Sequence, residues 1–130
     1  MREANLKVLQ DYFAAMGAGD REKAATYYHP EVVLEVPGHH AASGTHEGLE
    51  GVGRFGAAMA QATGGTFRLT PVDLLASDDH VVTIGKASAT VGDRSMEWDR
   101  VIVSRVVDGK LAHLRFFEAD QAAVDAFLAP

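Results

Sequence analysis

Residues 95–128 have the sequence SMEWDRVIVSRVVDGKLAHLRFFEADQAAVDAFL, which predicts two long strands followed by a short helix. The strands run from Ser95 to Val107 and from Lys110 to Phe117, and the dipeptide Asp108-Gly109 between them is typical of a tight hairpin turn. The helix runs from Gln121 to Leu128. Charged residues stand among aromatic residues on both strands, as they do on the walls of small-ligand pockets. We therefore expect this hairpin to border a binding site.

Two earlier strands extend the pattern, one from Thr66 to Ala76 and one from His80 to Val91. The segment Ser77-Asp78-Asp79 separates them from each other, and Gly92-Asp93 separates them from the hairpin. Such short connections join antiparallel neighbours, because a parallel crossover needs about a dozen residues or more. The four strands are therefore predicted to form an antiparallel meander.

Three helices are predicted before this meander. The first, from Arg2 to Met16, has an inward face of apolar side chains at helical spacing. These side chains are Leu6, Leu9, Phe13 and Met16, with Val8 and Tyr12 beside them. Asp20 is a typical N-cap for a second helix, from Arg21 to about Tyr28, which Pro30 ends.

A strand and a polar loop lie between the second and third helices. Residues Glu31 to Val36 are β-branched and apolar enough for a strand, which Pro37-Gly38 ends. A polar loop from Gly38 to Gly48 follows, and the third helix runs from Leu49 to its end at Gly64-Gly65. This order predicts an α+β fold in one domain, residues 1–130. A curved antiparallel sheet would pack on three N-terminal helices and be followed by a short C-terminal helix.

The composition excludes several classes of function. With 12 Lys and Arg against 18 Asp and Glu, the net charge is −6, which opposes binding to nucleic acid. No cysteine is present, which excludes disulfides, thiolate catalysis and Cys-ligated metals. The sequence has no run of 18 apolar residues and no signal-peptide core at its N-terminus, so we expect a cytoplasmic protein that does not bind a membrane.

Five short motifs, in this order, resemble the nuclear-transport-factor-2-like superfamily. They are YFAAMGAGD at 12–20, YHPEVVL at 28–34, HEG at 46–48, DGKL at 108–111 and DQAAVDAFL at 120–128. This superfamily has a cone-shaped α+β fold and contains SnoaL-like polyketide cyclases, ketosteroid isomerases and limonene epoxide hydrolases. The last two motifs are especially similar to SnoaL-like sequences. The resemblance implies a homodimer whose subunits hold a small apolar molecule and need no cofactor.

The resemblance also bears on individual residues. Ketosteroid isomerases use a Tyr on the first helix and a second acid to hold an oxyanion, with an Asp as the base. Tyr12 stands where that Tyr is expected, whereas Val36 and Ile102 occupy the places of the base and the second acid. A neutral acid that donates a hydrogen bond is central to that mechanism, so we do not expect true ketosteroid isomerase activity.

Strand side chains alternate between the two faces of a sheet, so the residues that face the interior can be grouped. With Ile102 inward, the interior set is Trp98, Arg100 and Ser104 on its own strand and Leu114, Phe116 and Glu118 on the last strand. Arg100 and Glu118 would be costly to bury unpaired, so we expect them to face each other or a polar ligand group. The alternative is a register slip of one residue, which would instead turn Asp99, His113 and Arg115 inward.

The candidate catalytic residues come from three parts of the chain. Tyr12 and Arg100 would stabilise negative charge that develops on a substrate oxygen. Glu118 or His46 would move the proton. The structural alternatives are that Tyr12 only packs and that Glu118 only pairs with an arginine. The substrate would contact a wall made of Val36, Trp98, Ile102, Leu114 and Phe116.

Three histidines in the polar loop raise the question of a metal site: His39, His40 and His46. Their spacing fits no zinc motif, because His39 and His40 are adjacent and neither lies one helical turn from His46. We therefore expect no metal, and we keep His46 as a candidate acid or base near the mouth of the site.

Three functional hypotheses remain open. The first is a cavity protein resembling SnoaL-like cyclases and isomerases, which performs cofactor-independent acid–base chemistry on a small apolar oxygenated substrate. Isomerisation, cyclisation and addition of water belong to this class. The second is a non-catalytic module for ligand binding or dimerisation. The third is an epoxide hydrolase resembling the limonene enzymes, which requires Arg100 and two carboxylates, Asp99 and Glu118, around one water.

Overall fold

The computed structural model describes residues 1–130 as four helices and six strands. The helices are α1 (Arg2–Gly17), α2 (Arg21–Ala25), α3 (Gly48–Thr63) and α4 (Gln121–Phe127). The strands are β1 (Tyr28–Val36), β2 (Gly44–Glu47), β3 (Arg68–Ala76), β4 (His80–Val91), β5 (Arg94–Val107) and β6 (Lys110–Glu118). The four C-terminal strands begin and end within two residues of the predicted positions.

The six strands form one curved sheet in the order β2-β1-β6-β5-β4-β3. Strands β3 to β6 make the predicted antiparallel meander, and the α+β fold class is confirmed. The sheet is nevertheless mixed, because β1 pairs with β6 in the parallel direction. Connection length gives direction only for strands that follow each other in sequence, whereas β1 and β6 are separated by most of the chain.

Three local predictions in the N-terminal half are wrong. The polar loop contains β2, whose backbone pairs antiparallel with β1 although most of its side chains remain exposed. Tyr28 belongs to β1 and is buried, because α2 already ends at Ala25. Pro30 therefore lies inside a strand, at an irregularity between β1 and β6 where no ladder hydrogen bond is needed from its nitrogen. Met16 is 46% exposed, and Ala15 is the buried residue in the last turn of α1.

The interior has two apolar clusters. The first lies between α1, β1 and β6 and includes Leu9, Leu34 and Leu111. The second lies between α4, β4 and β5 and includes Trp98 and Phe127. Two partly buried side chains contact both clusters: Phe55 and Leu69. The helices thus cover the concave face of the sheet, and none of them is long and apolar enough to cross a membrane.

The loop between β1 and β2, residues 37–43, is fastened to the C-terminal helix. The amide of Ala41 donates to the carbonyl of Leu128 at 3.0 Å. Gly38 has a φ of +85°, and a Cβ atom there would collide with the side chains of Gln121 and Asp125. Glycine is therefore required both for the turn and for the close approach of α4.

We predict that Gly38→Ala destabilises the fold by about 1–2 kcal/mol, because the left-handed backbone and the close approach both disfavour a Cβ atom. The matched control is Gly53→Ala, in the exposed middle of α3, where a Cβ atom meets nothing within 4 Å. That change should stabilise the protein by about 0.5–1 kcal/mol. Urea denaturation measures the free energy of unfolding of both variants. Equal effects of the two substitutions would contradict the requirement for glycine at position 38.

Candidate functional site

The pairing of β5 with β6 places Arg100 directly opposite Glu118. The side chains that alternate inward on β5 are all buried: Trp98, Arg100, Ile102 and Ser104. Asp99 and Arg115 lie on the outer face and are exposed. The register is therefore the predicted one, and the alternative slip of one residue does not occur.

Arg100 and Glu118 form a buried bidentate ion pair. Nε of Arg100 donates to Oε1 of Glu118 at 2.8 Å, and Nη2 donates to Oε2 at 2.9 Å. Nε1 of Trp98 donates a third hydrogen bond to Oε2, at 3.1 Å. Both charged side chains are only 2% exposed. Three hydrogen bonds therefore replace the water that this carboxylate has lost.

Aromatic rings surround the guanidinium of Arg100. Its central carbon lies 5.0 Å from the ring centre of Phe116, 5.2 Å from that of Phe67 and 5.8 Å from that of Trp98. The faces of such rings attract a cation, most strongly where water is excluded. These contacts fix the guanidinium on the carboxylate and leave little freedom for either side chain.

The ion pair still has unused hydrogen-bonding capacity. A carboxylate accepts about four hydrogen bonds and a guanidinium donates five. Glu118 receives three, and Nη1 of Arg100 donates to no protein atom. The pair thus retains a donor on Arg100 and an acceptor position on Glu118, the two kinds of group needed to bind a carbonyl oxygen and to receive a proton.

A groove of about 380 Å³ opens at the carboxyl ends of β1 and β6. These strands pair as far as Glu35 and Arg115, and beyond that point β1 turns away at Pro37. The wall of the groove includes three residues predicted for the site, Val36, Phe116 and Glu118, together with Pro37 and Gln121. Glu118 is the member of the ion pair whose residue lines the groove, and its carboxylate is buried behind that wall with 2% of the side chain exposed.

The other predicted wall residues lie deeper. Trp98 stands behind Glu118, and the side chains of Ile102 and Leu114 are buried in the first apolar cluster. Phe117, in contrast, is 46% exposed on the outer face of the sheet. The interior is not wholly apolar, because the side chains of Arg100, Glu118 and Ser104 are buried within it.

Tyr12 lies apart from this ion pair. Its hydroxyl is 2.7 Å from that of Tyr28, and burial raises the pKa of both phenols, most strongly that of Tyr28. Tyr28 pairs with Leu111, seven residues before Glu118 on β6. At about 3.3 Å per residue, this separation is roughly 23 Å along the strand. The structure therefore does not bring Tyr12 together with Arg100 and Glu118.

His46 is connected to the aromatic residues around the ion pair only through contacts between rings. Its ring packs edge-on against Phe55, which packs edge-on against Phe116. Nε2 of His46 is 2.8 Å from the carbonyl of Ala42 and must donate to it. Only Nδ1 remains free to accept a proton, and the role of His46 as an acid or base stays a prediction.

The sequence singled out His40 only as a possible metal ligand, and the structure places it, buried, near the ion pair. It is 7% exposed, and its Nδ1 accepts a hydrogen bond from the amide of Ala42 at 3.1 Å. Burial lowers the pKa of its imidazole, while the charges of Asp125 and Glu118 oppose that shift. The pattern of a polar loop gave no sign of burial, because the covering element is α4, some 80 residues later.

The loop histidines do not converge. His39 is exposed, and His40 and His46 each use one ring nitrogen on the backbone of Ala42. No group of three potential metal-ligating side chains is brought together anywhere in the structure.

The site expected for an epoxide hydrolase is not assembled. Asp99 points away from the interior, is 68% exposed and pairs with Lys86 at 2.7 Å. Since Arg100 and Glu118 lie on the opposite face, these three side chains cannot surround one water molecule. The third functional hypothesis is therefore wrong.

Residues 9–114 match the family model described as a SnoaL-like domain. The chain belongs to the SnoaL-like family. An uncharacterised protein of Mycobacterium tuberculosis is 30% identical to this SnoaL-like protein over 128 residues, which cover 98% of both chains. Two solved structures are similar to this chain over nearly its whole length. Bal32a, from a soil-derived mobile gene cassette, superimposes with a TM-score of 0.89 at 27% identity over 98% of both chains. A protein of unknown function from Xanthomonas campestris, described as having a cystatin-like fold, gives a TM-score of 0.89 at 30% identity over 100% of both chains.

We predict strong energetic coupling between Arg100 and Glu118. Arg100→Met or Glu118→Leu alone leaves one buried charge unpaired and should cost about 3–5 kcal/mol. The double substitution removes both charges and should cost less than either single one. Free energies of unfolding in urea measure this cycle.

The control cycle uses Lys86→Ala and Asp99→Ala, an exposed ion pair on neighbouring strands. It should show little coupling, because solvent screens such pairs. Additive effects of the two substitutions at Arg100 and Glu118 would contradict a buried pair.

Proposed function

We propose that this SnoaL-like protein binds a small apolar molecule with one or two oxygen functions and catalyses proton abstraction and return on it. Isomerisation and aldol-type cyclisation belong to this reaction class. The observation that carries the proposal is the buried Arg100–Glu118 pair, which borders the groove through Glu118. An apolar pair would serve the fold as well or better, so the retention of two charges here favours a chemical role.

The proposed chemistry uses the hydrogen-bonding groups of Arg100 and Glu118 that remain free. A remaining N–H of Arg100 donates to the carbonyl oxygen of the ligand, and the free lone pair of Glu118 accepts a proton from the adjacent carbon. The C–H bond breaks, an O–H bond forms on Glu118, and the electron pair moves onto the carbonyl oxygen as an enolate. Return of the proton to a different carbon completes an isomerisation. Attack of the enolate on a second carbonyl, which then takes the proton, completes a cyclisation.

The aromatic rings have two roles in this scheme. Phe116 borders the groove and offers an apolar surface to the body of the ligand. Together with Phe67 and Trp98 it also excludes water from the guanidinium, which strengthens the hydrogen bonds to a developing enolate. The step needs no cofactor, since electrons are only redistributed within the substrate.

The test uses 2-tetralone, a bicyclic ketone with acidic α-protons. Trp98 is the single tryptophan of the chain and donates to Glu118, so its fluorescence should report binding. In D₂O the protein should accelerate exchange of the α-protons, followed by proton NMR. Glu118→Gln should reduce the accelerated rate at least about 100-fold, because it removes the base.

Asp99→Asn is the matched control, a similar change on the outer face of β5, and should leave exchange unchanged. Urea denaturation establishes that Glu118→Gln is folded under the assay conditions. Full activity of folded Glu118→Gln would reject Glu118 as the base. Binding without accelerated exchange would favour the non-catalytic binding module instead.

The outer face of the sheet supports a second proposal, that two copies of the chain associate through it. Three large apolar side chains are exposed there: Leu75 at 46%, Ile84 at 39% and Phe117 at 46%. Both signs of charge flank them, in the pairs Lys86–Asp99 and Arg115–Glu35. A two-fold axis would place like apolar patches together and could oppose unlike charges, as a symmetric dimer requires.

Light scattering tests this association. Ile84→Glu should convert the dimer to a monomer, because it buries a charge at the centre of the interface. Ala57→Glu, on the exposed side of α3, is the control and should leave the mass unchanged. A wild-type protein with the mass of one chain, 13.9 kDa, would overturn the proposal.

A further inference from the structure

Nε2 of His40 is the one buried side-chain nitrogen or oxygen that has no hydrogen-bond partner. Folded proteins leave few such atoms, because an enclosed polar group that has lost water and gained no partner is destabilising. His40 is more than nine-tenths buried, so water does not supply the missing partner at an open surface. The orphaned atom lies among the residues of the candidate site and needs an explanation.

The hydrogen bonds of the loop decide what this atom offers. Nδ1 accepts from the amide of Ala42, so in the neutral ring the proton lies on Nε2. The amide of His40 donates to Oγ of Ser43 at 2.9 Å, and that hydroxyl donates to the carbonyl of Pro37. The loop thus holds the ring in one orientation, with a neutral N–H donor at the unpartnered position.

The surroundings of the ring connect it with the ion pair. The charged groups that act on its titration are Asp125, Glu118 and Arg100, from α4, β6 and β5. Ala42, two residues further along the loop, packs in the second apolar cluster with Trp98. His40 therefore lies near the Arg100–Glu118 pair and next to a residue of the second apolar cluster.

The groove offers a ligand a route from solvent towards His40. Pro37 and Gln121 border the groove, and they belong to the loop and the helix that enclose His40. Between them lies a single hydrogen bond of 3.4 Å, from Nε2 of Gln121 to the carbonyl of Pro37, which is close to the limit for such a bond. This contact is weak, although the same loop is also held to the end of α4 by the hydrogen bond from Ala41 to Leu128.

We propose that Nε2–H of His40 binds the oxygen of the ligand, so that a carbonyl or enolate oxygen is held between His40 and Arg100. The apolar body of the ligand then occupies the groove beside Phe116. This inference rests on the proposed function and adds the group that recognises the oxygen. A neutral imidazole suits this role, because its N–H can donate a hydrogen bond to an enolate oxygen while the proton stays on the ring.

The test compares two probes of the same shape, 2-tetralone and 2-methylenetetralin, in which a methylene group replaces the carbonyl oxygen. Binding is followed by the fluorescence of Trp98. The wild-type protein should prefer the ketone roughly 10- to 100-fold, because a site built around a buried donor rejects an analogue without the acceptor.

His40→Phe keeps a ring of similar shape and removes the N–H, so it should reduce the ketone preference several-fold, and the remaining preference should come from the donor on Arg100. His40→Gln keeps an N–H at a similar distance from the backbone and should retain part of the preference. His39→Phe alters the exposed neighbour and should change nothing. Because His40→Phe also removes the acceptor of the Ala42 amide, urea denaturation establishes that this variant is folded under the binding conditions.

A measurement on the wild type does not depend on any variant. The proton resonance of His40 Nε2–H should move downfield on addition of 2-tetralone and stay in place with 2-methylenetetralin. Equal binding of the two probes by the wild type would contradict the donors on both His40 and Arg100. An unmoved resonance, or a ketone preference that is undiminished in His40→Phe, would overturn the role of His40 while leaving the proposed function intact. Failure of both probes to bind the wild type would overturn both.

Discussion

Arg100 and Glu118 can be buried only together, and this constraint governs how β5 and β6 align. A shift of one residue would turn Asp99 and Arg115 into the interior, where neither would meet the partner it has at the surface. The ion pair and the strand register therefore enforce each other. The same register points Trp98 and Phe116 inward, so the hydrogen bond and the rings that complete the cluster follow from one alignment.

The groove forms where the pairing between β1 and β6 stops. β6 is antiparallel to β5 along its whole length, but it pairs with the parallel strand β1 only as far as Arg115. The turn at Pro37-Gly38 then carries the chain away towards β2, and the end of β6 is left with a neighbour on one side only. Loop 37–43 and α4 come together over this end of the sheet. Glu118 borders the groove because it is the last residue of β6.

Sequence alone predicted the four-stranded meander well because its signals are local. Asp108-Gly109 and Gly92-Asp93 mark turns directly, and alternation along β5 is enough to separate the two faces. The strand β2 was missed because its four residues are mostly exposed and show no apolar alternation. The parallel partner of β1 was missed because pairing between distant segments leaves no mark on either one. The same reason explains His40: its burial depends on α4, whose contact with the loop cannot be read from the residues around His40.

The unfavourable features of the interior are gathered at one end of the sheet. At the other end, the two buried phenols of Tyr12 and Tyr28 satisfy each other, which is a self-contained solution. At the groove end, the fold holds an ion pair that an apolar pair could replace, and a histidine donor with no partner. A sequence selected for stability alone would remove both, and such local conflicts in natural proteins are expected at functional sites. In the proposed function, one ligand oxygen that binds both His40 and Arg100 would account for these two features together.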